Sequence, residues 1–366
     1  MSRVTVVQVG LGTVGGEVIS QIVANRERWQ RELGREVRIG AVIGTGGAVL
    51  ADQPDGLADD LLLRLVHARR EGTALREAAA GHALVDSAEA IALLVNRGPV
   101  VVMDAAAGDQ TATLHARALA SGAGVVLSNK APLALPLGNP LAAQLWRAAG
   151  PRGKLRYEAT CGAGLPVIST LRTLLDTGDT PLEIIGALSG TLGAIFTDLG
   201  NGATFSHAVR AAKANGFTEP DPRDDLSGLD VARKALILAR TIGRQVDLAE
   251  IEVENLVPEA LRGLDVPAFM DRLDDLDAAW LERSRAARAN GATLKYVAAV
   301  PAEGPIRVGV QEVPTTSLLG ALQGPENVVI MRTARYQANP LTIVGPGAGA
   351  AVTAAGMTGD LLALRA

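Results

Sequence analysis

A buried strand that runs directly into a glycine-rich turn constrains this chain more than any other feature. Residues 4–9 form an apolar run, and Gly10-Leu11-Gly12-Thr13-Val14-Gly15 follows it immediately. At such a turn Gly10 permits the tight bend, Gly12 lets a pyrophosphate approach the backbone, and Gly15 allows the next helix to pack closely. The pattern therefore predicts dinucleotide binding, with a purely structural turn as the alternative. The predicted cofactor-binding residues here are Gly10, Leu11, Gly12, Thr13, Val14 and Gly15.

Strand and helix patterns alternate after this turn. Strand patterns occupy 37–43, 100–104 and 124–127, and helical patterns occupy 57–71, 73–95 and 111–120. Such alternation predicts an α/β fold with a Rossmann-type doubly wound parallel sheet. The second strand ends in Gly44-Thr45-Gly46-Gly47, which contains neither the acidic residue typical of NAD binding nor the arginine typical of NADP binding. The choice between NAD(H) and NADP(H) stays open.

Composition narrows the class of partner. The chain has 366 residues, 48% of them hydrophobic, and a net charge of −4, which favours two domains and argues against a nucleic-acid surface. Cys161 is the single cysteine, so neither an intrachain disulfide nor a cysteine-based zinc site is expected. No signal peptide or membrane span is recognisable. We expect a cytoplasmic protein that acts on a small molecule.

Two further turns carry candidate residues. Ser128-Asn129-Lys130 follows the strand at 124–127, at the edge of the sheet where ligands of open α/β folds bind. Lys130 is therefore a candidate for substrate or proton contact, or an ordinary turn lysine. A strand-like run at 154–160 leads into Cys161-Gly162-Ala163-Gly164. Cys161 could act as a nucleophile or pack as a small buried side chain. The four histidines are expected to decorate helices or turns.

An acidic stretch followed by a helix lies at 218–234. Pro220 and Pro222 predict an extended loop here. Ser227, three residues before Asp230, predicts a helix start of the capping-box type near Gly228.

Lys234 lies at the edge of the apolar stripe of that helix and should point partly inward, where it becomes available for proton transfer. Asp230, one turn earlier, can hold its charge. A surface ion pair at helical spacing is the alternative.

The remaining patterns predict a second domain. Residues 267–290 form an amphipathic helix, and 293–300, 306–313 and 328–333 alternate like antiparallel strands. The run 341–344 and the turn Gly345-Pro346-Gly347-Ala348-Gly349 lead into a last helix, which suggests that the C-terminus returns to the nucleotide domain. We expect a nucleotide-binding domain at 1–150 with 340–366, and an α+β catalytic and dimerisation domain at 151–339.

Taken together, these motifs resemble the homoserine dehydrogenase family over nearly the whole chain. The resemblance is carried by Gly10–Gly15, Ser128–Lys130, Glu158–Pro166, Ser189-Gly190-Thr191 and above all Gly216–Lys234. That family interconverts L-homoserine and L-aspartate 4-semialdehyde with NAD(H) or NADP(H), on the way to threonine, methionine and isoleucine. The resemblance implies a short monofunctional form without an aspartate kinase or ACT domain, and hence no threonine feedback through an ACT domain. It also implies a homodimer, although a tetramer is compatible.

The resemblance also assigns roles by position. It implies that Lys234 and Lys130 are catalytic lysines, with Asp230 beside Lys234. Substrate contacts are implied for Glu219, Asp225 and Thr191, where a carboxylate would hold the amino group of the amino acid. Ser128, Lys130 and Gly345 join the cofactor-binding residues. A monovalent cation, usually sodium, is implied at Glu158, Cys161, Ala163 and Leu165, with Cys161 supplying a carbonyl oxygen.

Two alternatives of a different class are kept. One is a phosphorylating semialdehyde dehydrogenase that uses Cys161 as nucleophile. The other is a dinucleotide-binding protein without catalysis.

Overall fold

The computed structural model describes residues 2–79, 81–151 and 153–364. The chain divides into two compact units, Met1–Gly164 with Gly349–Ala366 and Leu165–Ala348. The expected domain boundaries lie at 150/151 and 339/340, whereas the compact units change at 164/165 and 348/349. Among the described residues, none of the helices combines the length and apolar character needed to cross a membrane.

The first unit is built on a seven-stranded sheet. Its elements are β1 Ser2–Val9, α1 Thr13–Leu33, β2 Arg35–Gly44, β3 Gly47–Leu50, α2 Asp59–Arg70, α3 Leu75–Ala78, β4 Leu84–Val85, α4 Ser87–Val95, β5 Val100–Asp104, α5 Ala112–Ala120, β6 Gly124–Leu127, α6 Pro140–Ala148 and β7 Leu155–Arg156. The strand order is β4-β3-β2-β1-β5-β6-β7. From β2 to β7 the neighbours are parallel, while β3 and β4 add antiparallel edge strands.

This topology confirms the predicted doubly wound sheet and explains its sequence. The order reverses at β1, which pairs with β2 on one side and β5 on the other. All five residues of β5 are buried, as expected of a parallel strand covered on both faces. The reversal leaves a crevice at the carboxyl ends of β1 and β5, where the glycine-rich turn begins.

Two local predictions in this unit were wrong, and one strand was not predicted. The helix expected over 73–95 is interrupted, because β4 leaves it to pair with β3 and α4 restarts after an Asp86 cap. The strand expected over 154–160 is confined to β7, and a 3-10 turn at Glu158–Thr160 replaces the rest. The hairpin strand β3 was missed.

The second unit carries a six-stranded sheet. Its elements are α7 Val167–Asp176, β8 Pro181–Ala187, α8 Gly190–Gly200, α9 Phe205–Ala214, α10 Pro222–Leu226, α11 Leu229–Thr241, β9 Glu252–Val253, α12 Glu259–Arg262, α13 Val266–Asp271, α14 Asp277–Ala289, β10 Ala292–Pro301, β11 Arg307–Pro314, α15 Leu318–Ala321, β12 Glu326–Thr333 and β13 Leu341–Pro346. The order is β13-β12-β8-β10-β11-β9, antiparallel throughout except for the short β11 and β9 pair.

One face of this sheet is covered by α8, α11 and α14, which pack on β10. Phe196 on α8 stacks on Tyr296 of β10 and meets Trp280 of α14 edge to face. This aromatic cluster fixes α8 and α14 against the sheet. The helix expected over 267–290 is divided into α13, a 3-10 turn at Leu273–Leu276, and α14.

The last helix, α16 (Ala350–Ala363), packs on α1 and joins the core of the first unit through Ala354, Met357 and Leu361. The strand before it, β13, pairs with β12 instead. The return of the chain to the nucleotide-binding unit is therefore made by the helix and not by the strand.

Candidate active site

The glycine-rich turn is tight at two positions and open at the third. Gly10 has a φ of +81°, and a Cβ there would lie 2.9 Å from the amide nitrogen of Ala106. A Cβ on Gly15 would lie 2.0 Å from the carbonyl oxygen of Gly10. Gly12 precedes α1, and nothing lies within 4 Å of its Cβ position. Space is thus left beside the first turn of α1, which no side chain caps.

That arrangement fits a dinucleotide. Backbone amides at a helix N-terminus bind phosphate, and a glycine without a Cβ lets the pyrophosphate come close. Beneath the turn Gln8, which is fully buried, donates from Nε2 to the carbonyl oxygens of Val9 and Gly10 at 3.0 and 3.1 Å. Sequence reasoning missed Gln8. It could have been noticed from the sequence, because Gln8 is a polar residue among the buried valines at the end of β1.

Asp104 organises the loops that follow β5 and β6. It is fully buried and accepts hydrogen bonds from the Ala106 amide at 2.8 Å, from Thr111 Oγ1 at 2.7 Å and from Asn129 Nδ2 at 3.1 Å. The Nε2 atom of His115 lies 3.0 Å away. Burial would raise the pKa of Asp104, but hydrogen bonding and charge from His115, together with the other donors, hold that pKa below its ordinary value.

Through Asn129 this network fixes the turn that carries Lys130. Asn129 also donates to Gly108 O at 2.7 Å and accepts from the Ala131 amide at 3.1 Å. Ser128 donates its amide to Asp104 O at 3.0 Å. The half-buried Lys130 follows, at the start of a 3-10 turn over Ala131–Ala134. The histidines were expected to decorate helices or turns; His115 does lie on α5, but it is fully buried instead of exposed at the surface.

The predicted cation ligands lie where the chain turns sharply after β7. Glu158 is buried, and its amide donates to Asp360 Oδ2 at 2.7 Å. Gly162 and Ala163 both have positive φ, 90° and 56°. Cys161 is fully buried. Among the described residues no cluster of three His, Cys, Asp or Glu side chains could hold a metal, so sodium binding by these carbonyl oxygens and Glu158 stays a prediction.

In the second unit Lys234 lies inside the protein. It is only 8% exposed. Its Nζ donates to the carbonyl oxygen of Leu188 at 2.6 Å and lies 2.8 Å from Oδ2 of Asp230. A buried ammonium requires such compensation, because removing a charge from water is costly. The inward lysine and the Asp230 partner predicted from helical spacing are therefore present.

The capping box predicted at the start of this helix was wrong. Gly228, in the left-handed region with φ 73°, is the N-cap of α11 and has no side chain to cap it, although the Leu229 amide donates to Oγ of Ser227 at 3.3 Å. Ser227 Oγ instead donates to Asp224 O at 2.7 Å. Asp230 is consequently available to pair with Lys234.

The acidic stretch, predicted to be an extended loop, is a loop only as far as Asp221. Pro222 begins the short helix α10, and Asp221 caps it by accepting from the Arg223 amide at 3.0 Å. Proline is compatible with the first helical position because no intrahelical partner for its nitrogen is needed there. This helix turns Asp225 inward.

Asp225 and Thr191 form a compact polar contact. Thr191 Oγ1 lies 2.9 Å from Asp225 Oδ1 and 2.5 Å from the carbonyl oxygen of Phe217. The Glu219 amide donates to Asp225 Oδ2 at 2.8 Å, while the Glu219 side chain is exposed. Burial raises the pKa of Asp225, although its bonds to Glu219 and Thr191 oppose the shift. Ser189, at the same turn, caps α8 through the Leu192 amide.

The first unit has the fold of a dinucleotide-binding domain, and the second pairs the buried Lys234 with the partly exposed Asp230 and partly desolvates Asp225. This combination is typical of NAD(P)-dependent oxidoreductases. Two family profiles agree with this class and identify the family within it. A homoserine dehydrogenase profile matches residues 166–362, and a profile for the NAD binding domain of homoserine dehydrogenase matches residues 10–150. The chain belongs to the homoserine dehydrogenase family.

Individual relatives extend the likeness. A homoserine dehydrogenase from Paracoccidioides brasiliensis is 40% identical over 281 residues, which are 72% of this chain and 74% of that protein. A chloroplastic bifunctional aspartokinase/homoserine dehydrogenase 2 from maize is 34% identical over 97% of this chain, which spans 38% of the maize protein. The crystal structure of a putative homoserine dehydrogenase from Archaeoglobus fulgidus superposes with a TM-score of 0.74 at 25% identity, covering 99% of this chain and 98% of that one.

Proposed function

We propose that this protein is a homoserine dehydrogenase that interconverts L-homoserine and L-aspartate 4-semialdehyde with NAD(H) or NADP(H). The observation that carries the proposal is the buried Lys234, held by Asp230 and Leu188 O, on the helix that follows the Asp225 contact. Family membership supplies the substrate, and these residues supply the chemistry that the reaction requires.

The bound nicotinamide cofactor gives or takes the hydride. Residues 10–15 would hold its pyrophosphate at the start of α1, with Ser128, Lys130 and Gly345 as further contacts. Lys234 would donate a proton to the alkoxide oxygen that develops as the aldehyde is reduced, and would take that proton back in the oxidation direction. Asp230 keeps the buried ammonium in place. Lys130 is proposed as the second catalytic lysine.

Asp225 would recognise the amino group of the substrate. Its carboxylate is partly desolvated and fixed by two donors, so an incoming ammonium gains a charge-assisted bond in a site of reduced dielectric. Thr191 and Glu219 complete this contact.

The test compares NADH and NADPH side by side, following the absorbance of the reduced cofactor with aspartate semialdehyde and with homoserine. Turnover with at least one cofactor is expected. Cys161→Ser should retain it, since a fully buried thiol has no role in the proposed reaction. If Cys161→Ser abolishes turnover in a folded protein, a phosphorylating semialdehyde dehydrogenase with Cys161 as nucleophile is favoured. No turnover with either cofactor favours a dinucleotide-binding protein without catalysis.

Lys234→Met tests the proton-handling role. We expect turnover to fall by about 10² to 10⁴, the usual range for a lost general acid or base, while the affinity for reduced cofactor is retained. Cofactor affinity is measured by fluorescence titration. Unchanged turnover would remove Lys234 from the mechanism.

Three further proposals follow from the family. Glu158, Cys161, Ala163 and Leu165 are proposed to bind sodium, because a buried carboxylate and carbonyl oxygens suit a hard cation. The protein is proposed to be cytoplasmic.

It is also proposed to be a homodimer. In the second sheet Ile185 pairs with Ala299 on one side and with Ile330 on the other. These three apolar side chains lie on the face opposite Tyr296 and are only partly buried, which supports the homodimer. Light scattering after gel filtration tests the dimer.

A further inference from the structure

Arg223, on the short helix α10, contacts Asp221 and the segment from Arg262 to Phe269, and we call this set of contacts the clamp. Arg223 Nε lies 3.0 and 3.1 Å from the two carboxylate oxygens of Asp221, and Nη2 donates to Asp221 Oδ2 at 2.6 Å. Nη1 donates to the carbonyl oxygen of Arg262 at 3.1 Å and to that of Leu264. The guanidinium also lies over the ring of Phe269, 5.3 Å from its centroid. All three nitrogens of the side chain are thus engaged.

Such a clamp is needed because α10 cannot fix its own position. The helix has five residues and begins with proline, and helices of that length are unstable without tertiary contacts. Pro222 and Leu226 are buried and anchor one side of it. The polar contacts of Arg223 supply the other anchor, to the segment from α12 to α13.

The Arg223 side chain and the Asp225 carboxylate lie on different sides of α10. Arg223 and Asp225 are two residues apart, which is about 200° around a helix, so they lie on nearly opposite sides. Arg223 contacts Arg262, Leu264 and Phe269, whereas Asp225 faces Thr191 and the Glu219 amide. A shift of the helix on one side therefore moves the carboxylate on the other.

We propose that Arg223 is a positioning residue for substrate recognition, setting the Asp225 carboxylate against Thr191 and the Glu219 amide. The proposal rests on the proposed function only in that Asp225 receives the substrate amino group. The planar guanidinium is required because a lysine ammonium cannot bridge a carboxylate and two carbonyl oxygens while stacking on a ring.

The ion pair between Arg223 and Asp221 is charged at neutral pH. The hydrogen bond from Arg223 lowers the pKa of Asp221, and burial only partly opposes it. With a depressed pKa in the folded protein, the pairing is fully present above the ordinary pKa of an aspartate and is lost as pH falls through the lower value. Near neutral pH the clamp is closed.

The test uses Arg223→Lys and Arg223→Met, with Arg283→Met as a matched control. Arg283 makes the same kinds of contact, with Glu254 Oε1 at 2.6 Å, Val310 O at 3.3 Å and the Trp280 ring at 5.2 Å, but it lies on α14. We expect Arg223→Met to lower kcat/KM for homoserine by about 100-fold, mostly through KM, as expected when a binding group is misplaced by roughly an ångström. Arg223→Lys should fall between the wild type and Arg223→Met.

Hydrogen exchange provides a readout that is independent of activity. The Glu219 amide is bound to Asp225 Oδ2, so the peptide over 217–227 should exchange faster in Arg223→Met and stay protected in Arg283→Met. Both variants should lose thermal stability. If Arg223→Met retains wild-type KM, or retains protection of this peptide, the positioning role is refuted. An inactive wild type would contradict the proposed function alone, because the exchange result still decides the role of Arg223.

Discussion

Gly228→Ala should be among the most damaging single substitutions in the second unit, although it adds one methyl group. Gly228 has a φ of +73°, and a Cβ there would lie 1.8 Å from the hydroxyl oxygen of Tyr296 and 2.9 Å from Cζ of the same ring. The Tyr296 hydroxyl donates to the carbonyl oxygen of Glu254 at 2.7 Å. The ring cannot move aside without losing that bond, because Phe196 stacks on it.

The cost can be summed from separate causes. The left-handed conformation costs an alanine about 1 kcal/mol. A displaced tyrosine leaves a buried hydroxyl and carbonyl without partners, at about 1–3 kcal/mol. Overpacking adds about 1–3 kcal/mol. The expected total is about 3–7 kcal/mol, a large part of the roughly 5–15 kcal/mol that stabilises a typical domain.

Gly216→Ala is the matched control. Gly216 has a φ of +72°, but nothing lies within 4 Å of its Cβ position, so only the conformational cost of about 1 kcal/mol is expected there. Urea unfolding followed by circular dichroism measures both variants. Tyr296→Phe in the Gly228→Ala background should recover part of the loss, since the nearest atom is removed. Equal destabilisation by Gly228→Ala and Gly216→Ala would refute the reasoning.

Two further predictions concern the binding sites. Gly12→Ala should fold with a melting temperature within about 2 °C of wild type and bind reduced cofactor at least about tenfold more weakly, because its methyl group enters the open space beside α1. Gly15→Ala should instead lower the melting temperature, because its Cβ would lie 2.0 Å from Gly10 O, and calorimetry with cofactor titration separates the two; equal stability of both variants would contradict this. KM for homoserine should rise as pH falls through the raised pKa of Asp225, and Asp225→Asn should abolish that pH dependence. The same substitution should raise thermal stability near pH 7, because a carboxyl with a raised pKa in the folded state loses its stabilising contribution as pH rises through that value; a lowered melting temperature would contradict the sign.

Periodicity and glycine patterns were sufficient to predict the architecture. Local sequence was enough to predict several elements, namely the buried strand β1, the turn at Gly10–Gly15 and the alternating strands β10, β11 and β12. These features are decided by side-chain periods of two and 3.6 residues, which can be read along the chain. The α/β fold could therefore be predicted without any long-range contact.

The failures share a different cause. The 73–95 run breaks because β4 pairs with β3, a strand some 35 residues earlier. The clamp of Arg223 reaches carbonyl oxygens about 40 residues away. The contact between the buried Asp104 and His115 depends on tertiary structure, and no residue spacing along the chain predicts it. Partners distant in sequence cannot be inferred from local propensity alone.

The start of α11 shows how the local rule and the site compete for the same residue. A capping box at Ser227 would have engaged Asp230 with the backbone at the helix N-terminus. Instead Gly228 supplies a left-handed N-cap, a conformation that glycine adopts readily because it has no Cβ, and Tyr296 occupies the space where a Cβ would be. Asp230 then reaches Nζ of Lys234 at 2.8 Å. The helix therefore lacks a side-chain cap from its N-cap residue, a contact typically worth about 1 kcal/mol, and the Asp230 carboxylate holds the charge of the buried lysine.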